Sequence, residues 1–384
     1  MRRIMPGLLM SQKPAKPQSL DPEVQEASDE QRVDQALHTP SEVLPTLPNA
    51  FQRGLSEDLE LEGELPFQLF RFDSPRPGPR LIITAAVHGN ETHGSFAIQR
   101  VVQQLMSSEL HLLCGRLSLV PVTNPKAWRL QRRQGDRNLN RRLAPTRQAV
   151  DYEDHIANWL CPLLAEHDGL LDLHSFQSGD QPFALFGPSD NQNDLEPFQK
   201  ADQEEAIALR LGCRRFVYGW LDTYAKGVEK RANAVRQGQL SARFADVDPA
   251  YGIGTTEYMR SVGGWAVTLE CGQHDDPMGR ELAHRAIIQT LQTLGMLAGP
   301  KPLPCSNPEV MGLFDVFDRY DLKDELVKPW KSFDPVQAGE AIGRRADGSL
   351  VHAPENAYVI FPNPKAQPGQ EWFYLARPGG RLGA

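Results

Sequence analysis

A histidine and a carboxylate follow directly on an apolar run in the first third of the chain. Residues 81–87, Leu-Ile-Ile-Thr-Ala-Ala-Val, are typical of a buried strand and lead into His88-Gly-Asn-Glu91. Imidazole nitrogen and carboxylate oxygen are common zinc donors, and open α/β sheets bind ligands at the carboxyl ends of their strands. A turn that caps the next helix is the alternative interpretation. The same spacing recurs at His352 and Glu355, to which we assign no metal role.

Two further apolar runs end in residues that can do chemistry. The run 170–173 ends at His174, which offers a third metal donor. Asp172 lies two residues earlier and therefore on the same side of the strand, where it either orients a ligand or is simply a satisfied buried carboxylate. The run 266–269 is followed by Glu270. The alternative interpretation of Glu270 is a carboxylate that is simply solvated, as is usual after a strand.

The segment 124–142 is strongly basic although the protein as a whole is acidic. It contains six arginines and one lysine against a single aspartate. Guanidinium groups hold carboxylates through two parallel hydrogen bonds, so the segment suits an anion pocket. A solvated basic loop is the alternative.

Taken in order, these motifs resemble the succinylglutamate desuccinylase and aspartoacylase family, within the wider zinc carboxypeptidase superfamily. The match consists of H-G-N-E, N-P-x-A with an arginine nine residues after its Asn, L-N-R, D-L-H, and a strand ending in E-x-G. It covers about residues 66–297 and continues into the C-terminal part. The resemblance implies one zinc ion per chain, bound by His88, Glu91 and His174.

The resemblance also implies roles for four further residues. Arg133 would polarise the scissile carbonyl, and Glu270 would be the catalytic carboxylate. Asn140 and Arg141 would hold a carboxylate of the substrate. Asn138 stands where the family usually has Asp, so an amide replaces a carboxylate that could brace the arginine.

Strand and helix patterns alternate between residues 66 and 297. This alternation predicts an α/β fold with an open, mostly parallel (mixed) sheet covered by helices on both faces, which agrees with the zinc-carboxypeptidase-like fold that the resemblance implies. The predicted strands are 67–72, 81–87, 117–122, 170–173, 183–186 and 266–269, and the predicted helices are 95–106, 152–165, 194–211 and 280–297.

Composition divides the chain into three parts. Residues 1–50 have seven prolines and no aromatic residue, which predicts a disordered arm with at most a turn or two of helix around 23–37. Residues 51–299 are the predicted catalytic domain, with an insertion around 190–251 that could cover the cleft and reset specificity. Residues 300–384 are the predicted small all-β domain, with strands at 313–320, 341–344, 350–352, 357–361 and 372–376.

Charge and cysteine content exclude several classes of protein. The 384 residues carry 49 acidic and 41 basic side chains, a net charge of -8, which is the wrong sign for a nucleic-acid binding face. No apolar run in the part expected to fold approaches the roughly 18 residues of a membrane span. We read no signal peptide, and five cysteines without a C-x-x-C pair indicate a reducing, cytoplasmic setting.

The sequence therefore predicts a cytoplasmic zinc amidohydrolase that cleaves an amide beside a carboxylate in a small N-acyl amino acid or related acidic amide. A metallocarboxypeptidase acting on short or murein-type peptides shares these residues and is the second hypothesis. An inactive metal-binding regulatory protein is the third. The oligomeric state is left open.

Overall fold

The computed structural model describes residues 67–179, 181–242 and 248–382. The predictions for the arm 1–50 and for a folded region starting near Phe51 lie outside these residues. Among the described residues, no helix combines the length and apolar character that crossing a membrane requires.

The strands of the described part form two sheets. One is an eleven-stranded mixed sheet with the order β1-β3-β2-β4-β7-β5-β6-β8-β14-β13-β10, and the other is a three-stranded antiparallel sheet with the order β12-β11-β9. In chain order the strands are β1 Phe70–Asp73, β2 Arg80–Ala85, β3 Arg116–Val120, β4 Gly169–Phe176, β5 Phe183–Leu185, β6 Arg215–Tyr218, β7 Trp265–Gln273, β8 Glu309–Asp318, β9 Glu325–Leu326, β10 Asp334–Val336, β11 Ala341–Arg344, β12 Leu350–His352, β13 Ala357–Ile360 and β14 Glu371–Pro378.

Helices cover both faces of the larger sheet, as predicted. Ile82 and Leu170 share one buried cluster with the apolar side of α3. Side chains of opposite parity point to the other face, where Gly94 of α1 lies against Ala85 and Leu173. The helices are α1 His93–Met106, α2 Pro125–Arg129, α3 Tyr152–Ala165, α4 Ala201–Ala208, α5 Trp220–Arg236, α6 Thr255–Ser261 and α7 Met278–Thr293, with a 3-10 turn at Pro249–Gly252.

The boundaries of α3 follow from local chemistry. The side chain of Asp151 accepts a hydrogen bond from the amide of Asp154 at 2.8 Å and so caps the helix. Glu153 and Asp154 add negative charge to the first turn, where the helix dipole favours it. The observed helix coincides with the predicted range 152–165.

Strands β2, β4 and β7 lie side by side and run parallel. Ala85 pairs with Leu173, and His174 pairs with Glu270. Because the carboxyl ends of parallel strands meet at one edge of a sheet, the loop 88–91, His174 and Glu270 come together there.

The C-terminal part is β-rich, as predicted, and most of it extends the larger sheet. Strand β8 pairs in parallel with β6 and antiparallel with β14, so the sheet continues across residue 299. The smaller sheet β12-β11-β9 lies wholly in this part. The division into domains at residue 299 stays a prediction.

One predicted helix is shorter than expected. The pattern predicted a helix over 194–211, whereas α4 spans Ala201–Ala208. Pro197 lies in the missing part, and Phe198 forms an isolated antiparallel bridge with Asn191, which holds the chain extended before the helix begins.

Candidate active site

The turn after β2 is set by close backbone packing. Ala86 has a positive φ of 48°, and its carbonyl accepts a hydrogen bond from the amide of Asn124 at 3.0 Å. Gly89 lies so close to the next loop that a Cβ would sit 2.0 Å from the carbonyl carbon of Ala127. Glycine is therefore required here for a close approach of two backbones, and the turn places His88 beside the sheet edge.

Three predicted metal ligands converge at this edge. The donor atoms of His88, Glu91 and His174 all lie within 4.8 Å of one another, and all three side chains are buried. The Nδ1 atoms of His88 and His174 lie 2.8 Å from Oε1 and Oε2 of Glu91, respectively. The second H-x-x-E pair is different, since Nδ1 of His352 hydrogen-bonds to the carbonyl of Gly339 at 2.8 Å.

Hydrogen bonds on the far side of each imidazole fix its orientation. Nε2 of His88 donates to Oδ1 of Asn138 at 2.9 Å, and Nε2 of His174 donates to Oδ2 of Asp172 at 2.9 Å. These acceptors hold a hydrogen on each Nε2, so that Nδ1, which faces Glu91, is the ring nitrogen that can bind a cation. Asp172 also accepts hydrogen bonds from the hydroxyls of Thr84 and Thr255, so both interpretations of it hold: it is a satisfied buried carboxylate and it orients His174.

The charges at this cluster suit a cation. Burial, with Arg133 nearby, lowers the pKa of His88 to about 4, so this imidazole is neutral at pH 7. Burial alone would lower the pKa of His174, but Asp172 and Glu91 on either side raise it well above its ordinary value. Carboxylates that stabilise the protonated form of His174 also stabilise a metal cation at this position. Two imidazoles and one carboxylate are also a donor set of catalytic zinc sites.

Glu270 lies in the same cavity with one oxygen free. Its Oε2 is buried and has no hydrogen-bond partner among the described residues. Burial, with Glu91 close by, raises the pKa of Glu270 to about 8. A buried carboxyl group with a pKa near neutrality can both accept and return a proton.

Arg133 and Asn140 lie at the cavity in different environments. Arg133 Nη1 donates to Oε1 of Glu91 at 3.2 Å, while about half of the arginine side chain remains exposed. Oδ1 of Asn140 accepts from the amide of Thr255 at 2.9 Å, at the start of α6. The side-chain amide nitrogen of Asn140 therefore remains to donate a hydrogen bond to a ligand.

Arg141 is buried and held on several sides. Its guanidinium lies 4.9 Å from the ring of Trp220 and 5.7 Å from that of Tyr224. Its Nη1 donates to the carbonyl of Asn140 at 2.7 Å, and its Nη2 lies 3.4 Å from Oε2 of Glu371.

All seven predicted site residues line one cavity of about 480 Å³. The predicted insertion and the C-terminal part contribute walls that the motifs did not indicate. Tyr224 and Arg231 lie one and three turns after Trp220 on α5, so their helical spacing could have indicated this wall of the cavity. No comparable sequence pattern marked Glu371 and Tyr374. These additional lining residues are Trp220, Tyr224, Arg231, Glu371 and Tyr374.

The helix-covered mixed sheet and the His-Glu-His cluster define an α/β domain with a candidate metal site at the carboxyl ends of its parallel strands. Residues 77–201 match the family model of the succinylglutamate desuccinylase/aspartoacylase catalytic domain. The match agrees with the resemblance that the motifs indicated, and members of that family are amidohydrolases. The matched segment contains six of the seven predicted site residues and ends before Glu270.

Solved structures of this family share the fold over most of both chains. A protein of this family from Rhodobacter sphaeroides is 16% identical, with a TM-score of 0.59, over 82% of this chain and 90% of that one. A succinylglutamate desuccinylase from Vibrio cholerae is 17% identical, with a TM-score of 0.60, over 81% and 85%. An aspartoacylase family protein from Mesorhizobium loti is 22% identical, with a TM-score of 0.53, over 83% and 90%. The comparison with curated proteins gave no match.

Proposed function

We propose that this protein is a zinc-dependent amidohydrolase that removes the acyl group from a small carboxylate-bearing substrate of the N-acyl amino acid type. The observation that supports this most strongly is the convergence of His88, Glu91 and His174 in the cavity that holds the unpaired oxygen of Glu270. In this proposal Nδ1 of each histidine and the carboxylate of Glu91 hold one zinc ion. When bound, zinc supplies Lewis acidity and makes water a stronger nucleophile near neutral pH.

Glu270 moves the proton in the proposed reaction. Its free Oε2 takes a proton from the attacking water and then delivers it to the leaving amine as the carbon–nitrogen bond breaks. The products are a carboxylic acid and an amine. A pKa near the pH of the medium suits both transfers, and burial keeps bulk water away from the carboxyl group.

Arg133 and Arg141 serve different parts of the substrate. The half-exposed guanidinium of Arg133 donates to the oxygen of the scissile carbonyl and stabilises the negative charge that develops on it. Arg141, fixed between Asn140 and Trp220, binds the substrate carboxylate together with the amide nitrogen of Asn140. The substrate is thus a small anionic amide, and we propose the cytoplasm as its setting.

A metallocarboxypeptidase is the second candidate because of the size of the cavity. About 480 Å³ lies within the range of roughly 300–1,000 Å³ found for drug-sized ligands, so a short peptide also fits. A regulatory protein without activity is disfavoured by the presence of both Arg133 and Glu270 at the ligands.

A hydrolysis screen with metal analysis tests the proposal. Zinc-loaded protein is assayed on N-acetyl and N-succinyl amino acids and, in parallel, on dipeptides and tripeptides. We expect faster hydrolysis of the acyl amino acids and loss of that hydrolysis on chelation. Faster hydrolysis of the peptides would support the carboxypeptidase instead, and inactivity of the zinc-loaded protein on both panels would support the regulatory protein.

A further inference from the structure

Glu153, in the first turn of α3, is a fully buried carboxylate that the proposed reaction does not use. Its Oε1 accepts hydrogen bonds from the backbone amide of Gly135 and from Nδ2 of Asn124, both at 2.9 Å. Its Oε2 accepts from the backbone amides of Asp136 and Arg137, both at 3.1 Å. A carboxylate is costly to bury unless donors surround it, and here the donors come from two loops.

The three backbone amides belong to the loop that carries two residues of the proposed site. Arg133 lies two residues before the first of these amides, and Asn138 directly follows the last. Nη1 of Arg133 donates to Oε1 of Glu91 at 3.2 Å, and Oδ1 of Asn138 accepts from Nε2 of His88 at 2.9 Å. Because Glu153 binds three consecutive amides, it fixes the backbone between these two side chains.

The fourth donor connects Glu153 to a second loop at the metal ligands. Oδ1 of Asn124 accepts from the amide of Ala127 at 3.0 Å and so caps α2, while its Nδ2 binds Glu153. The backbone of Ala127 is the surface against which Gly89 packs, in the turn that carries His88. One carboxylate therefore braces two loops that both contact the ligand turn.

Asn140 and Arg141, which would bind the substrate carboxylate, are supported from elsewhere. Oδ1 of Asn140 accepts from the amide of Thr255 at 2.9 Å, and Nη2 of Arg141 lies 3.4 Å from Oε2 of Glu371. A change at Glu153 should therefore disturb this pair less than it disturbs the loop before it.

We propose that Glu153 is a positioning residue that sets the approach of Arg133 to the scissile carbonyl and, through Asn138, the orientation of His88. Displacing this one carboxylate then alters the contact with the developing oxyanion and the binding of zinc together. A misplacement of about 1 Å at a reacting group can lower turnover by about a hundredfold. The inference deepens the proposed function and rests on it.

Kinetics of E153Q at saturating zinc test the first part of the proposal. The amide of E153Q replaces one acceptor oxygen by an NH2 group, so the loop loses part of its anchor. We expect kcat to fall at least tenfold for the N-acetyl amino acid that the wild type hydrolyses fastest. The KM should stay within about threefold, since Asn140 and Arg141 keep their supports.

Zinc affinity tests the second part without turnover. In competition with a chromophoric chelator, the zinc dissociation constant of E153Q should rise by about tenfold to a hundredfold. D324N is the matched control, because Asp324 is also buried and accepts three backbone amides, away from the cavity lining. D324N should lower the free energy of unfolding but leave kcat and zinc affinity within about twofold of the wild type.

G135A tests the same contact with the carboxylate retained. A Cβ on Gly135 would lie 2.6 Å from Oε1 of Glu153, so the carboxylate has to move away from the loop. G135A should show the same pattern at about threefold to tenfold, and it carries the test if E153Q does not fold. G380A is the control, since a Cβ on Gly380 meets no atom of the described residues within 4 Å.

Double-mutant cycles identify the route of the effect. E153Q should lower kcat by no more than about twofold in an R133A background and should raise the zinc dissociation constant by no more than about twofold in an N138A background, because the positioned group is then absent. Undiminished effects in both backgrounds, or an E153Q protein that behaves like D324N, would overturn the inference. Weaker zinc binding by E153Q in a protein whose wild type hydrolyses no acyl amino acid would overturn the proposed function and still support the bracing of His88.

Discussion

Asn138 accepts a hydrogen bond from Nε2 of His88 at 2.9 Å, and the same oxygen accepts the backbone amide of Asn140 at 3.0 Å. The side-chain oxygen at position 138 thus holds an imidazole and a backbone amide, whereas the resemblance suggested that the Asp usual at this position could brace an arginine. The side chain holds an imidazole in the tautomer that presents Nδ1 to Glu91. It does for His88 what the carboxylate of Asp172 does for His174.

Removing the Asn138 side chain should weaken metal binding. We expect N138A to raise the zinc dissociation constant by about tenfold to a hundredfold, because His88 loses the partner that fixes its ring. N138D, which restores an acceptor, should bind zinc at least as tightly as the wild type. The measurement is competition with a chromophoric chelator.

Asn158 offers a control for this comparison. Its side chain accepts a hydrogen bond from the amide of Thr146, on the exposed surface. N158A should bind zinc as the wild type does. Equal zinc affinities of N138A and the wild type would mean that Asn138 does not orient His88.

Glu270 should be needed for turnover but not for zinc binding. In E270Q the amide keeps the shape of the side chain but cannot accept the proton, so kcat should fall by about a hundredfold or more while zinc content stays at the wild-type level. Steady-state kinetics and metal analysis of one preparation check both. An active E270Q enzyme would assign the base to another carboxylate, with Glu257, which also lines the cavity, as the next to test.

The fork geometry of Arg141 should matter more than its charge. R141K keeps the charge but loses the paired donors and the planar contact with Trp220, so kcat/KM for carboxylate substrates should fall by about tenfold to a hundredfold. R129K, in the same basic segment but away from the cavity lining, should change little. If kcat/KM fell similarly in both variants at low salt and the decrease disappeared at high salt, the arginines would act through a general electrostatic field instead.

Substrate amidation provides a second test of Arg141. Replacing the substrate carboxylate with an amide should reduce kcat/KM much more for the wild type than for R141K, because both changes remove the same contact. Equal reductions in the two enzymes would show that Arg141 does not bind that group.

Glu196 should make stability depend on pH. It shares Arg260 with Glu204 and Glu257, and burial raises its pKa to about 7, with Arg260 opposing and Glu257 adding to the rise. An unfolded glutamate titrates near about 4.3. Between these values the native state keeps a proton that the unfolded state has lost, so this contribution to stability is present at low pH and is lost as the pH rises through about 7.

Replacing Glu196 removes this titration. The free energy of unfolding of E196Q minus that of the wild type should increase by about 3 kcal/mol between pH 4.5 and pH 8. Urea unfolding at several pH values measures this difference, with E355Q as the control at an exposed glutamate. A difference that stays constant with pH would show that Glu196 titrates normally.

Local patterns in the sequence were sufficient to predict the sheet edge of the site. Apolar runs that end in His88, His174 and Glu270 indicate strands whose carboxyl ends carry chemistry, and the parallel register of β2, β4 and β7 brings them together. The bounds of α3 were predictable because its cap and its helical period agree.

The far wall of the cavity could not be predicted in the same way. Helix α5 was missed because the polar composition of 190–251 masked the buried stripe that includes Leu221, Tyr224 and Val228. The contact of Arg141 with Glu371 joins residues 230 positions apart and depends on the register between β8 and β14. Long-range pairing of this kind leaves no periodic signal in either segment.

Zinc content and amide hydrolysis, measured on the same preparations of wild type and H174A, test whether His174 binds a zinc ion that the reaction needs. Removing one of three protein ligands leaves a site that cannot compete with a mild chelator. The wild type should keep one zinc per chain after dialysis and hydrolyse acyl amino acids. H174A should lose both the zinc and the activity, while H352A, at the second H-x-x-E pair, should lose neither. One equivalent of zinc retained by H174A, or hydrolysis by the metal-free wild type, would contradict the proposed zinc site.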